Sequence, residues 1–577
     1  MRFTRRFSTL AVVLAAGIAA WAQTGTPSGQ ASNSQQAEAV RNEVIADRIF
    51  RQESKLVLAM HGFTPLVETY IQNMKHDDQL GSKPDKDQYF LGRLVLDEKG
   101  INDKMFQGHQ PQGFMGRFLE RVDKMYRINY VPVGFMQLIF LNNNFDKQHY
   151  ELKFIRQQFL GQVRTMVFDA VPRMESKDTH FVGRIWVEDQ DYNIVRINGT
   201  FEPRTRNNFY FHFDSWRINM RQGMWLPAYV YTEESNAKAT LSLPLTMKGQ
   251  VRLWGYDVKH SGQQSEMTAM QIDTAKDVSD TTNNANEVVP VQSQHIWERE
   301  AEDNVLDRME RAGILAPAGG EVENVLQTVV TNLEVTNNLN IQPEVRCRVL
   351  LTTPLESFTV GHTIVVSRGL LDVLPDEASL AMMLSHELGH IALGHRMNTK
   401  YAFSDRMIFP DENIFKQIEL SQNDTDEAAA DEKGTELLEK SPYKDKLTNA
   451  NLFLKSLSNY SQNLTWLINA HFGNRMTRGN APSRMADLAK AGPAIVASDI
   501  NQLPALPLGS RIKLDPWDDH LELQKSKPEA LLSAQDKMSF EVTPIFPNLV
   551  RFGTGNEVAT QQPTATTQQS GSASQNK

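Results

Sequence analysis

Leu384-Ser385-His386-Glu387-Leu388-Gly389-His390 places two imidazoles and a carboxylate within five residues of one another. On an α-helix, residues four apart are separated by about 400° of rotation, so His386 and His390 project from one face and can hold a single ion. This is the HExxH spacing, and the chemistry it implies is amide hydrolysis assisted by one zinc ion per chain. Zinc lowers the pKa of a water to about 7, and the neighbouring Glu387 can take the released proton as a carbonyl is attacked. With 14 His in 577 residues, the pattern is expected by chance only about 0.02 times in such a chain. The alternative is a half-buried helix whose histidines only satisfy hydrogen bonds.

A helix is predicted over 375–395. Asp376 is its N-cap, and Leu380, Met383, Leu384, Leu388 and Ile391 form an apolar face. A catalytic zinc site has three protein ligands and an open position. The metzincin pattern would need Gly at 393 and His at 396, where this chain has Leu393 and Arg396. His395 is five residues beyond His390, about 140° around the helix, so a supporting or surface role suits it better than ligation. Downstream, Asp424 to Lys433 forms a second helix, with Glu427 and Asp431 four apart. Glu427 can ligate zinc, and Asp431 can accept the free ring N–H of a ligand histidine. Taken alone, that pair also fits an acidic solvated stripe. Ala428, Ala429 and Ala430 let this helix approach the first one closely.

The elements positioning these residues divide the chain. Arg2, Arg5 and Arg6 precede an apolar run from Leu10 to Ala20, and Ala20-Trp21-Ala22 ends the segment. Residues 1–22 therefore read as a secretory signal, with an apolar run shorter than the ~18 residues of a membrane span. The expected location is exported, in the periplasm, with no transmembrane segment in the mature chain. The net charge of −9 becomes −12 without those three arginines, which argues against nucleic acid and anionic membranes as main partners. The single cysteine, Cys347, lies in a strand-like alternation and reads as a core thiol.

The expected fold is α+β. A flexible leader (23–39) precedes a helix-plus-β-rich domain over 40–258, a linker over 259–294, a helical zinc-peptidase domain with a small sheet over 295–495, a small β-containing appendage over 496–554 and a disordered tail over 555–577. Period-two alternation in Tyr150–Phe154, Phe181–Val187, Val195–Phe201 and Phe209–Phe213 predicts a large, curved, half-barrel-like antiparallel sheet. Trp186, Trp216, Trp225 and Trp254 fall in this region. They are core residues, or else an apolar face for an acyl chain or peptide.

Two resemblances follow. Gly161 to Pro172, Phe181 to Val187 and Ile194 to Ile197 resemble the outer-membrane lipoprotein carrier fold, which implies lipid or lipoprotein as a partner of the β-rich domain. Leu355-Glu356-Ser357-Phe358, Ile364 to Asp372, the HExxH helix ending in His395-Arg396, and Glu427-Ala428-Ala429-Ala430-Asp431 resemble the HtpX and CAAX-prenyl-protease family of gluzincin peptidases, over roughly Val322 to Leu488. That resemblance implies zinc held by His386, His390 and Glu427, Glu387 as general base and Asp431 orienting a ligand. The soluble, exported branch of the family implies unfolded envelope proteins as substrates.

The chain departs from this family where Glu356-Ser357-Phe358 stands for Asn-Ala-Phe, and where Ala481-Pro482-Ser483-Arg484 lacks the histidine of a His-Pro pair. Oxyanion stabilisation is then left to Arg484, to His471 or to no residue. The function expected is a zinc metalloendopeptidase of envelope quality control. The competing reading is a chaperone-like or lipid-binding protein with a silent zinc site.

Overall fold

The computed structural model describes residues 28–77, 81–94, 101–102, 141, 144–173, 180–202, 212–238, 244–256, 290–395, 420–496, 499, 502, 512–515, 520–523, 540, 542, 544 and 547–553. The signal segment, most of the linker and the tail lie outside them.

Alternating sequences form one antiparallel sheet of ten strands in the order β3-β2-β1-β10-β9-β8-β7-β6-β5-β4. These are β1 (Leu66–Asp77), β2 (Gly81–Leu94), β3 (Ile101–Asn102), β4 (Tyr150–Leu160), β5 (Val163–Pro172), β6 (His180–Glu188), β7 (Ile194–Glu202), β8 (His212–Arg221), β9 (Met224–Lys238) and β10 (Pro244–Trp254). The two-residue β3 and the long β4 are its two edges, so the sheet is not closed into a barrel. Each strand pairs with its neighbour in sequence except β3 with β4, and β1 pairs with β10, joining the chain's early and late strands.

Both faces of the sheet are covered. Helix α1 (Ser28–Met60) lies on one, with Ile45, Ile49, Phe50, Leu56 and Met60 packed among Phe168, Phe181, Ile185, Ile197, Phe213 and Val251. Glu53 of α1 enters that layer, and its carboxylate accepts from Arg217 Nη1 at 2.6 Å and Nη2 at 2.7 Å. Two charges can be buried there because the fork is bidentate and Leu141 N also donates to Glu53. The helix begins at Ser28, inside the stretch expected to be a flexible leader, and it covers the face opposite the four tryptophans.

The other face carries Trp186, Trp216, Trp225 and Trp254, all buried and continuous with the core of the second half of the chain. Arg196 lies between the Trp186 and Trp216 rings, 4.3 and 4.6 Å from their centroids. Trp254 donates from Nε1 to Gly313 O at 3.0 Å, tying the sheet to the second half.

That half begins with α2 (Pro290–Arg311) and α3 (Glu321–Thr336). Val322, Leu326, Val329, Val330 and Leu333 of α3 are buried, as their spacing requires. A three-stranded sheet follows in the order β11-β13-β12, made of β11 (Arg346–Leu350), β12 (Ser357–Val360) and β13 (Thr363–Ser367). Cys347 is buried on β11, and burial pushes its thiol pKa up.

Next come α4 (Arg368–Val373), α5 (Glu377–Ala392), α6 (Asp424–Glu439), α7 (Thr448–Tyr460), the single turn α8 (Thr465–Ile468) and α9 (Ala486–Ala491). β14 (Thr477–Arg478) and β15 (Ala481–Pro482) form a hairpin before α9. Of the C-terminal appendage, β16 (Ile512–Asp515) pairs with β17 (His520–Leu523), while Phe540, Val542 and Leu549 are buried in the shared core. Among the described residues, no helix is long and apolar enough to cross a membrane.

Candidate metal centre

Helix α5 is buried over almost its whole length, which fits its apolar sequence but also buries the polar His386, Glu387 and His390. Asp376 caps it, accepting from Ser379 N at 2.8 Å. Helix α6 is capped by Asn423, which accepts from Thr425 N and Asp426 N. The two helices meet at glycines. A Cβ on Gly389 would stand 2.7 Å from Ala430 O, and one on Gly434 would stand 3.0 Å from both N and Cα of His386. The close approach expected from the alanines thus rests on Gly389, Ala430 and Gly434 together.

This contact brings Glu427 onto the two histidines. His386 Nε2 and His390 Nε2 are 3.2 Å apart, Glu427 Oε1 is 3.1 Å from His390 Nε2, and Glu427 Oε2 is 3.5 Å from His386 Nε2. Ligand atoms held tetrahedrally at 2.0–2.1 Å from zinc are about 3.3–3.4 Å apart, so the three edges fit one ion of that size. The donor set, two imidazoles that are neutral when they ligate and a carboxylate, is that of a catalytic zinc site with an open position. Glu427 Oε2 is also buried without a hydrogen-bond partner, which a cation would answer.

The surrounding groups fix this geometry. Asp431 Oδ1 lies 2.8 Å from His386 Nδ1, holding that ring with Nε2 toward the cluster. His395 does the same for His390, with their Nδ1 atoms 2.9 Å apart. Burial opposes charging of His386, but its bonds to Asp431 and Glu427 outweigh it and hold the pKa up to about 9. Burial likewise opposes ionisation of Glu427, yet the Arg484 charge and the two histidines hold its carboxyl well below the usual range. Asn474 Nδ2 donates to Glu427 Oε1.

Glu387 lies beside this cluster. Its Oε1 accepts from Ser357 Oγ at 2.7 Å and from Arg484 Nη1 at 2.7 Å. Arg484, itself buried, also donates from Nη2 to Ser357 O at 2.9 Å, and its Nε is 3.6 Å from Glu427 Oε2. Arg484 is therefore at the site, but as the counter-charge of Glu387 and Glu427 rather than as an open oxyanion donor.

His471 is elsewhere. Its ring is stacked on Trp466 and packed on Tyr89, with centroids 5.9 and 4.9 Å away, and its Nε2 faces Trp466 O at 3.1 Å. Its main-chain N donates to Glu356 Oε2 at 3.0 Å. Ser357 and Asn474 were missed as site residues. Ser357 had a signal in its place within the Glu356-Ser357-Phe358 run, while Asn474 had none.

The comparisons agree with this geometry. Residues 321–491 match the profile of Peptidase family M48. The chain is similar to metalloprotease LoiP of Escherichia coli (strain K12), 32% identical over 94 residues, which is 16% of this chain and 36% of that protein. The chain thus spans about a third of the length of this curated relative. A solved domain described as an outer membrane lipoprotein-sorting protein, from Vibrio parahaemolyticus, aligns over 39% of this chain and 99% of its own, at 7% identity and a TM-score of 0.18. A score that low carries no argument. The segment 321–491, which holds the His386, His390 and Glu427 cluster and Arg484, is a Peptidase family M48 domain.

Proposed function

We propose that this protein is a zinc-dependent metalloendopeptidase, exported to the periplasm, that cleaves unfolded envelope proteins. The observation that carries the proposal is the buried convergence of His386, His390 and Glu427, with ligand atoms all within 4.8 Å of one another, beside the carboxylate of Glu387. His386, His390 and Glu427 would hold the ion, and Asp431 and His395 would keep the two rings turned toward it. A zinc ion held there supplies a Lewis acid and a water whose pKa is lowered to about 7.

Glu387 accepts the proton of the attacking water and returns it to the leaving amine. Ser357 and Arg484 hold its Oε1, so its second oxygen is aimed by a fixed plane rather than by a free rotor. The Arg484 guanidinium, 2.7 Å from Oε1, is the counter-charge beside that carboxylate. Arg484 is thus a positioning residue in this reading, and His471 supports the nearby main chain. The lipid-carrying or chaperone reading has less support, because an acyl chain on the tryptophan face of the sheet would have to displace the second half of the chain packed there.

The test is Glu387→Gln in the full chain loaded with zinc. Wild type should cleave casein or a reduced, unfolded protein. The variant should lose at least about 10³-fold in kcat while keeping one zinc per chain. Equal cleavage by both proteins would sink the mechanism.

A further inference from the structure

The face of the ten-stranded sheet that meets the second half of the chain is not simply apolar. Glu68, Tyr70 and Gln72 on β1, with Asp87 and Tyr89 on β2 and Arg252 on β10, share that face. The register places Tyr70 opposite Tyr89, Gln72 opposite Asp87 and Glu68 opposite Arg252. Glu68, Gln72, Asp87 and Arg252 are buried. Burying such groups contributes less to stability than apolar packing of the same area, and is tolerated only when every charge is met by directional partners.

Those partners are main-chain groups of the peptidase half, beside the candidate site. Asp87 Oδ1 accepts from Trp466 N at 3.1 Å, and Oδ2 accepts from Leu467 N at 2.8 Å. These are N–H groups of α8, whose own N-cap, Leu464, offers no side-chain bond. Asp87 therefore caps a helical turn that lies almost 380 residues away in the chain. Glu68 accepts from Thr353 N at 2.6 Å and Thr353 Oγ1 at 2.8 Å. Arg252 Nε and the Tyr89 hydroxyl hold Glu68 in place, at 2.8 and 2.9 Å.

From these two anchors the bonds run directly to the site. Leu467 O accepts from Leu355 N at 2.7 Å. Glu356 Oε2 accepts from His471 N and Phe472 N, both at 3.0 Å. The next residue, Ser357, holds Glu387, and three residues after His471, Asn474 holds Glu427. The two segments that touch the base and the metal ligand are thus each pinned to the sheet within a few residues of those contacts.

We infer that Asp87 and Glu68 are positioning residues for the candidate peptidase site, so that the β-rich sheet is a part of the catalytic framework rather than a module tethered to it. This rests on the peptidase reading above. A carboxylate gripping two main-chain N–H groups sets backbone position through directional, charge-assisted bonds, which an apolar contact does not. The base and the metal ligand then keep the geometry that water activation needs, where a misplacement of about 1 Å costs roughly 10²-fold in rate.

The experiment uses the full zinc-loaded chain as wild type, Asp87→Asn and Glu68→Gln. Amide hydrogen exchange is followed in peptides covering 351–358 and 464–474, and in control peptides from β5 to β7. Each variant should speed exchange about tenfold or more in the first two segments and leave the controls unchanged. In parallel, kcat/KM should fall at least about tenfold at one zinc per chain. Unchanged exchange at 351–358 and 464–474, or acceleration spread equally over the controls, would overturn the inference. If wild type cleaves nothing, the peptidase reading fails while the exchange result still decides this one. If Asp87→Asn does not fold, Tyr89→Phe removes a single hydroxyl from Glu68 and should still speed exchange at 351–358 about threefold, and no change there would overturn it.

Discussion

Gly434→Ala sets two opposed effects against each other at the contact that builds the metal centre. Alanine in a helix interior is favoured over glycine by about 1 kcal/mol. The added methyl, however, would stand 3.0 Å from N and Cα of His386 and 2.7 Å from Cε of Met485, where ordinary contacts are 3.4–4 Å. Met485 can swing away at small cost, but the backbone of α5 cannot. Helix α6 must therefore give by about 0.4 Å, a form of overpacking that costs about 1–3 kcal/mol. The net expectation is a metal-free chain destabilised by about 0–2 kcal/mol.

The effect on zinc should be larger, because ligand distances tolerate only about ±0.2 Å. Moving α6 carries Glu427 away from His386 and His390, so zinc affinity should fall at least tenfold, or about 1.4 kcal/mol. Competition against a chromophoric chelator measures the affinity, and urea unfolding with and without EDTA separates it from stability. Unchanged affinity together with a more stable apo chain would refute the argument that the two helices are at contact distance.

Two further outcomes follow from buried charges. Arg484→Met leaves Glu387 and Glu427 without their shared counter-charge, and the metal-free chain should lose about 3–5 kcal/mol in urea unfolding; a loss under about 1 kcal/mol would mean that neither carboxylate depends on it. Burial raises the Asp87 carboxyl to about 6, against the opposing bonds from Trp466 N and Leu467 N. The folded chain therefore binds this proton at a pH where the unfolded chain has already released it. This contribution is fully present below about pH 4, and up to about 3 kcal/mol is lost as the pH rises through 6. The difference in unfolding free energy between wild type and Asp87→Asn, measured from pH 4 to 7, should carry that slope, and a flat difference would contradict it.

What could be read from sequence was local. His386, Glu387 and His390 share a helical face because 3.6 residues make a turn, and Asp376 caps that helix because its side chain needs only the next three residues. The period-two runs gave the antiparallel sheet, and the four tryptophans were sound as core residues. Helix α1 runs back to Ser28, into the stretch expected to be a flexible leader. Its residues packed on the sheet, Ile45 to Met60, fall within the 40–258 segment read as helix plus β-rich domain.

Arg484 shows the limit most clearly. Its place in the Ala481-Pro482-Ser483-Arg484 run marked it as a site residue, but nothing local said that its guanidinium would be spent on Glu387. Asn474 and Asp87 left no sequence signal at all, since each acts on groups distant in the chain. By itself the sequence pointed to the candidate ligand types, their helices and the alternation of the sheet, all of which depend on spacing within a few residues. Only the tertiary structure decided that Gly389 and Gly434 let Glu427 reach the histidines, and that the sheet grips the main chain beside the site. Both depend on surfaces meeting between elements distant in the chain, where shape and desolvation decide the outcome and no periodicity records it.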